Sequence, residues 1–136
     1  MATQSGAFQR PLVVMMRRTL RTISPDATLL EAATLMRDGK VGALLVHEGG
    51  HYSGVVSESD LVRKGMAESI STQETLVRAV MSSPLVSIDC ASSAHEASEK
   101  MAEHGIRHLA ISEDGRIVGI ISVRDLLHYF KNWGGL

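Results

Sequence analysis

Two short stretches hold the residues that could do chemistry. They are Gly54-Val55-Val56-Ser57-Glu58-Ser59-Asp60-Leu61 and Gly119-Ile120-Ile121-Ser122-Val123-Arg124-Asp125-Leu126. Each reads as a glycine, an apolar strand end, a serine and, three residues on, an aspartate. Serine with an acidic residue at plus three marks a helix start. Each stretch is therefore expected to be a strand that runs directly into a helix. Such a junction gathers backbone N–H groups and the positive end of a helix dipole, which suits an anion. The aspartate lies on the first turn beside it, where a carboxylate can accept from both hydroxyls of a ribose. Phosphate site and ribose acceptor together suggest a nucleotide. The plainer reading of one Ser-x-x-Asp is a helix cap. Against it stands the repetition of the whole surrounding unit.

A shift of 65 positions aligns residues 16–62 with 81–127 without a gap, and 13 of the 47 pairs are identical. Chance would give roughly three. Met16/Met81, Glu31/Glu96, Gly54/Gly119, Ser57/Ser122 and Asp60/Asp125 are among them. Repeats of this kind determine the architecture. Each unit opens with a short extended piece (20–23; 85–88). A helix follows, with a capping box at Thr28–Glu31 and Ser93–Glu96. Its expected inner face is Leu29, Ala32, Ala33 and Met36, matched by Ala94, Ala97, Ser98 and Met101. Two strands come next (43–47 and 52–57; 108–112 and 117–122), joined by Gly49-Gly50 and Asp114-Gly115 turns. A closing helix is expected over 58–67 and 123–132. The fold class is mixed α/β (α+β): two pseudo-symmetric β-α-β-β-α repeats packed sheet to sheet. Such short units bury too little apolar area alone. The expected division is a flexible arm over 1–13, motifs over 14–67 and 76–132, and a polar linker over 68–75.

This arrangement resembles a pair of cystathionine-β-synthase (CBS) motifs, the tandem unit also called a Bateman module. The resemblance covers about residues 14–130. It is carried by the two Gly-x-x-Ser-x-x-Asp stretches, by Gly105-Ile106-Arg107-His108-Leu109, and by Val14-Met15-Met16 and Val80-Met81. It implies a regulatory module that binds adenosine-containing ligands in clefts between its motifs. By position, Asp125 with Ser122 and Asp60 with Ser57 take the ribose and phosphate side. The apolar slot for adenine falls on Thr22, Ile23 and Ala43, and on Ser87, Ile88 and His108. Arg107 stands where the family places a basic residue against phosphate. Homodimers, as four-motif discs, are also implied.

Phosphates need counter-charge. Arg107 and Arg124 provide it in the second unit, Arg63 and Lys64 in the first. Gly42-Ala43 replaces Arg107-His108 in the first unit, so the two sites are unequal and the Asp125 site is expected to bind tighter. The expected ligand is AMP, ADP or ATP as a regulatory effector, with no obligatory cofactor.

Other chemistry finds less support. His104 and His108 are four apart but fall on a helix end and a strand, which breaks zinc-pair geometry. His47 and His51 flank a turn, and Cys90 is the single cysteine. A metal-binding CBS protein is thus the lesser alternative. No P-loop is complete, and neither serine has a local base, so no enzyme is expected. The main alternative is a nucleotide-independent interaction module that dimerises through Val14-Met15-Met16 and Leu126–Phe130.

The 136 residues are 44% apolar with a net charge of −1. That composition suits one domain and gives no field for nucleic acid or a membrane surface. No apolar run nears the roughly 18 residues of a membrane span. The lone cysteine and the absence of an apolar leader read as a cytoplasmic protein, acting on a partner that is not specified.

Overall fold

The computed structural model describes residues 11–132. Most of the expected arm, residues 1–10, lies outside the described residues. The first repeat forms β1 (Thr22–Ile23), α1 (Leu29–Gly39), β2 (Ala43–Glu48), β3 (His51–Ser57) and a short α2 (Glu58–Asp60). The second forms β4 (Ser87–Asp89), α3 (Ala94–His104), β5 (His108–Glu113), β6 (Arg116–Ser122) and α4 (Val123–Asn132). The chain is a mixed α/β protein with two three-stranded sheets, ordered β1-β2-β3 and β4-β5-β6. In each, the first pair is parallel and the second antiparallel, with one irregularity at Val46/His47 and its repeat mate Ile111/Ser112.

Local chemistry explains the boundaries. Thr28 Oγ1 accepts from Glu31 N at 3.1 Å, and the Glu31 carboxylate accepts from Thr28 N at 3.3 Å. Ser93 and Glu96 do the same at 3.1 Å each. These capping boxes satisfy first-turn donors that a helix leaves open. Both helices end on a left-handed residue, Lys40 and Gly105. The hairpins turn on Gly49-Gly50 and Asp114-Gly115, all at positive φ, as a two-residue turn that follows strand twist requires.

Leu29, Ala32 and Met36 of α1, and Ala94, Ala97 and Met101 of α3, are buried as expected. Ala33 is exposed and Ser98 half-buried. Both lie at the margin of the apolar stripe. The first closing helix departs further from expectation. After Asp60 it widens into a π-type turn over Leu61–Gly65 and ends in a 3-10 turn over Met66–Glu68. Lys64 and Gly65 stand where α4 has Tyr129 and Phe130, which are buried. Without that aromatic pair the segment has little inner face to bury.

The chain divides by packing differently from how it divides by repeat. Among the described residues, those up to Thr19 together with those from Val86 onward form one compact unit; Leu20–Leu85 form the other. The segment that leads into each repeat therefore packs with the other repeat. Leu12 opens a 3-10 turn (Leu12–Val14), is fully buried and belongs to the core of Ile88, Leu109, Ile111 and Ile121. Its N–H donates to Ser92 O at 2.9 Å. Residues 11–13 are thus docked rather than loose, because Leu12 is a core residue. Its mate Val77 is likewise fully buried, in the core of Leu29, Leu44, Val46 and Val56. Each lead segment then adds a short antiparallel bridge to its sheet. Arg17 pairs with Ile120 at 2.9 and 3.0 Å, and Ser82 with Val55 at 2.8 and 3.0 Å. One lead segment has an extra clamp: Arg78 reaches Glu48 at 2.8 Å and Asp26 at 3.0 Å. Those hydrogen bonds, Glu48 first, raise its pKa above the usual arginine value.

These bridges require glycine. A Cβ on Gly54 would collide with the Ser82 carbonyl oxygen, and one on Gly119 would lie 2.6 Å from Met16 Sδ and 3.0 Å from Arg17 O. Gly54→Ala is expected to destabilise the protein by about 2 kcal/mol or more in urea unfolding. Gly39→Ala, whose added methyl would meet Arg21 at an ordinary 3.6 Å, serves as the neutral control.

Candidate functional site

At the second junction β6 delivers Ser122 to the start of α4. Ser122 Oγ accepts from Asp125 N at 3.1 Å, and Asp125 Oδ2 accepts from Ser122 N at 2.9 Å. The capping reading is thus realised, and it leaves Oδ1 for another partner. That partner is Arg17, whose Nε and Nη2 lie 3.3 and 3.1 Å away. The Asp125 side chain is 14% exposed and that of Arg17 52%, so the pair is wet on one side and weakly held. Arg107 O accepts from Val123 N at 2.9 Å, which places Arg107 beside the helix start. Arg107 and Arg124 are exposed. Among the described residues neither makes an ion pair. His108 opens β5 opposite Ser122, and Ser87 lies opposite Ala110. Ile88 packs into the core of its own unit.

The first junction has the same frame and different chemistry. Asp60 Oδ2 accepts from Ser57 N at 2.9 Å and from Ser57 Oγ at 3.1 Å. Its Oδ1 receives Lys64 Nζ at 3.1 Å and Ser82 Oγ at 3.4 Å. Lys64 Nζ also donates to Val80 O at 3.2 Å and lies 3.4 Å from Ser82 Oγ. Asp60 is only 7% exposed. Ala43 is buried opposite Ser57, Ile23 is in the core, and Thr22 is exposed opposite Leu45. Arg63 is exposed, with no ion pair among the described residues.

Arg17 and Ser82 are the residues of the two junctions that sequence reasoning missed. They are repeat mates, each one position after an identical methionine, and each reaches the aspartate of the other repeat. The stretches considered as a dimerising surface are mostly core: Leu126, Tyr129 and Phe130 are buried, and Met15 and Met16 pack against the same cluster. Val14 and Leu127 remain exposed. Cys90 is a buried thiol with its Sγ 3.5 Å from Glu113 Oε2; burial, and then that carboxylate, raise its pKa. Among the described residues no three His, Cys, Asp or Glu side chains gather in a way that could hold a metal ion. None of their helices is long and apolar enough to cross a membrane.

The family model for the CBS domain matches twice, at residues 13–67 and 77–132. This chain belongs to the CBS domain family. As a CBS pair it is 39% identical over 111 residues to the CBS domain-containing protein YhcV of Bacillus subtilis, covering 82% of this chain and 79% of YhcV. It is 34% identical to the uncharacterized protein MK0525 of Methanopyrus kandleri over 82% of this chain, but spans only 58% of that longer protein. Among solved structures, an uncharacterized conserved protein from Pyrococcus horikoshii superposes with a TM-score of 0.83 at 32% identity, covering 89% of this chain and 92% of that one. A hexameric CBS-CP12 protein from bloom-forming cyanobacteria gives a TM-score of 0.81 at 27% identity, over 87% of this chain and 70% of that one.

The two aspartates of this CBS pair differ in what they hold. Asp125→Ala removes one cap and a solvent-screened ion pair, and is expected to cost about 1 kcal/mol. Asp60→Ala also strips a buried acceptor from Lys64 and Ser82, and is expected to cost about 2–3 kcal/mol. Urea unfolding of both variants checks the order. Separately, Cys90 is expected to react with iodoacetamide at pH 8 about tenfold or more slowly in the folded protein than after unfolding, since the thiolate is the reactive form.

Proposed function

We propose that this CBS pair is a regulatory, non-catalytic module that takes AMP, ADP or ATP at the Asp125 junction and answers by a shift in conformation or assembly. The observation that carries the reading is the set of guanidiniums at that junction. Arg17 holds the one Asp125 oxygen that the cap leaves over, while Arg107 and Arg124 stand exposed beside the start of α4. Arg17 can leave the carboxylate for a phosphate, where a planar fork binds well. Asp125 Oδ1 is then open to a ribose hydroxyl. The exchange replaces an exposed ion pair by charge-assisted bonds to ligand, at little cost in lost contacts.

Because Arg17 belongs to a lead segment bridged to β6, the ligand acts on backbone as well as on side chains. A nucleotide that binds one arrangement of that segment better shifts the population toward it. The output is a changed affinity for a regulated protein partner, with the module working as a homodimer. The hexameric CBS-CP12 relative supports self-association. A cytoplasmic setting fits a free, buried Cys90 thiol.

Thermal unfolding with AMP, ADP, ATP, NAD and S-adenosylmethionine tests the reading. A ligand at about 100 times its Kd adds about 2.7 kcal/mol, or roughly 5–10 °C for a chain of this size. The expected result is a rise with an adenine nucleotide that falls by more than half in Arg107→Ala. That residue has no described ion pair to lose, so its effect reports binding rather than folding. No shift with any ligand at millimolar concentration would favour the interaction-module alternative.

A further inference from the structure

We propose that the Asp60 junction is closed from within by Lys64, so that each chain takes one adenine nucleotide, at the Asp125 junction. The inference rests on the nucleotide reading of that second junction and adds what the first one does. A carboxylate offers about four lone-pair sites. Asp60 already has close partners on both oxygens: Ser57 N and Oγ on one, and on the other Ser82 Oγ, with Lys64 Nζ 3.1 Å away as an ion pair. A ribose hydroxyl would have to compete with them.

Lys64, its side chain 48% exposed, has three partners: Asp60 Oδ1 as an ion pair, and Val80 O and Ser82 Oγ as hydrogen bonds. A ligand that displaced it would leave the buried Asp60 carboxylate without its counter-charge. The rest of the frame agrees. Gly42-Ala43 offers no cation where the second unit has Arg107-His108. Lys64 thus acts as an internal cation that fastens the second lead segment to the first repeat. Asp60 is its structural partner.

Two measurements on the full chain test this. Calorimetric titration with ADP is expected to give about one ligand per wild-type chain, and Lys64→Met is expected to leave the Kd of that site unchanged within about twofold. Urea unfolding of wild type, Lys64→Met, Asp60→Asn and the double variant is expected to show coupling, of about tenfold in the folding equilibrium constant, as contacting charge pairs do. Asn keeps the cap, so the cycle isolates the pair. Two ADP per wild-type chain, or a Kd raised more than about fivefold by Lys64→Met, overturns the proposal. So does additivity in the cycle. Should ADP bind no variant, the nucleotide reading fails by itself, and the cycle alone decides whether Lys64 closes Asp60.

Discussion

Two glycines without a Cβ let the lead segments lie against the strands. At Gly54 the Ser82 carbonyl comes closer than any side chain would allow, and at Gly119 Met16 and Arg17 do the same. Everything at the two junctions depends on these approaches. They bring Ser82 to Asp60 and Arg17 to Asp125, and each contact joins one repeat's lead segment to the other repeat's carboxylate. Leu12 and Val77 anchor the exchange by full burial. The polar contacts then ride on an apolar seat, as they must, since an exposed ion pair alone holds little.

The duplicated frame has drifted in one connected set of positions. Lys64-Gly65 replaces Tyr129-Phe130, and this single difference does two things. It removes the apolar inner face, so the closing segment widens and then tightens into a 3-10 turn instead of continuing as a regular helix. It also places an ammonium against Asp60. The second unit keeps its aromatic core and a ten-residue α4, and its aspartate depends on a half-exposed arginine instead. Both cations are half-exposed, but Asp60 and Lys64 have more partners within the chain than Asp125 and Arg17. The second junction has two further exposed guanidiniums, Arg107 and Arg124. This asymmetry underlies the proposed division, in which one repeat is mainly scaffold and the other is open to a ligand.

Much of this was legible in the sequence because it is local. Capping boxes, turn glycines and strand alternation act within a few residues, and the strands and hairpins fall within a residue or two of expectation. The repeat itself made the CBS family recognisable before any fold was in hand. The exchange of lead segments was not legible. Leu12 falls in a stretch expected to be a flexible arm, and hydrophobicity alone does not say against which sheet it packs. Arg17 and Asp125 are 108 positions apart, and no spacing rule reaches that far. Lys64 is instructive. Its place four residues after Asp60 is an ordinary helical ion-pair spacing, and its charge equally suits a phosphate. Its contacts with Val80 O and Ser82 Oγ, brought in by the exchange, have no local signal.

The most direct test of this account is a crystal structure of the chain grown with ADP. The account predicts nucleotide density against Asp125 and Ser122, with Arg17 turned from the carboxylate toward phosphate and Lys64 still on Val80 O and Asp60. Density at Asp60 with Lys64 displaced, or an ADP-bound structure in which Arg17, Arg107 and Arg124 all stand apart from the phosphates, would contradict it.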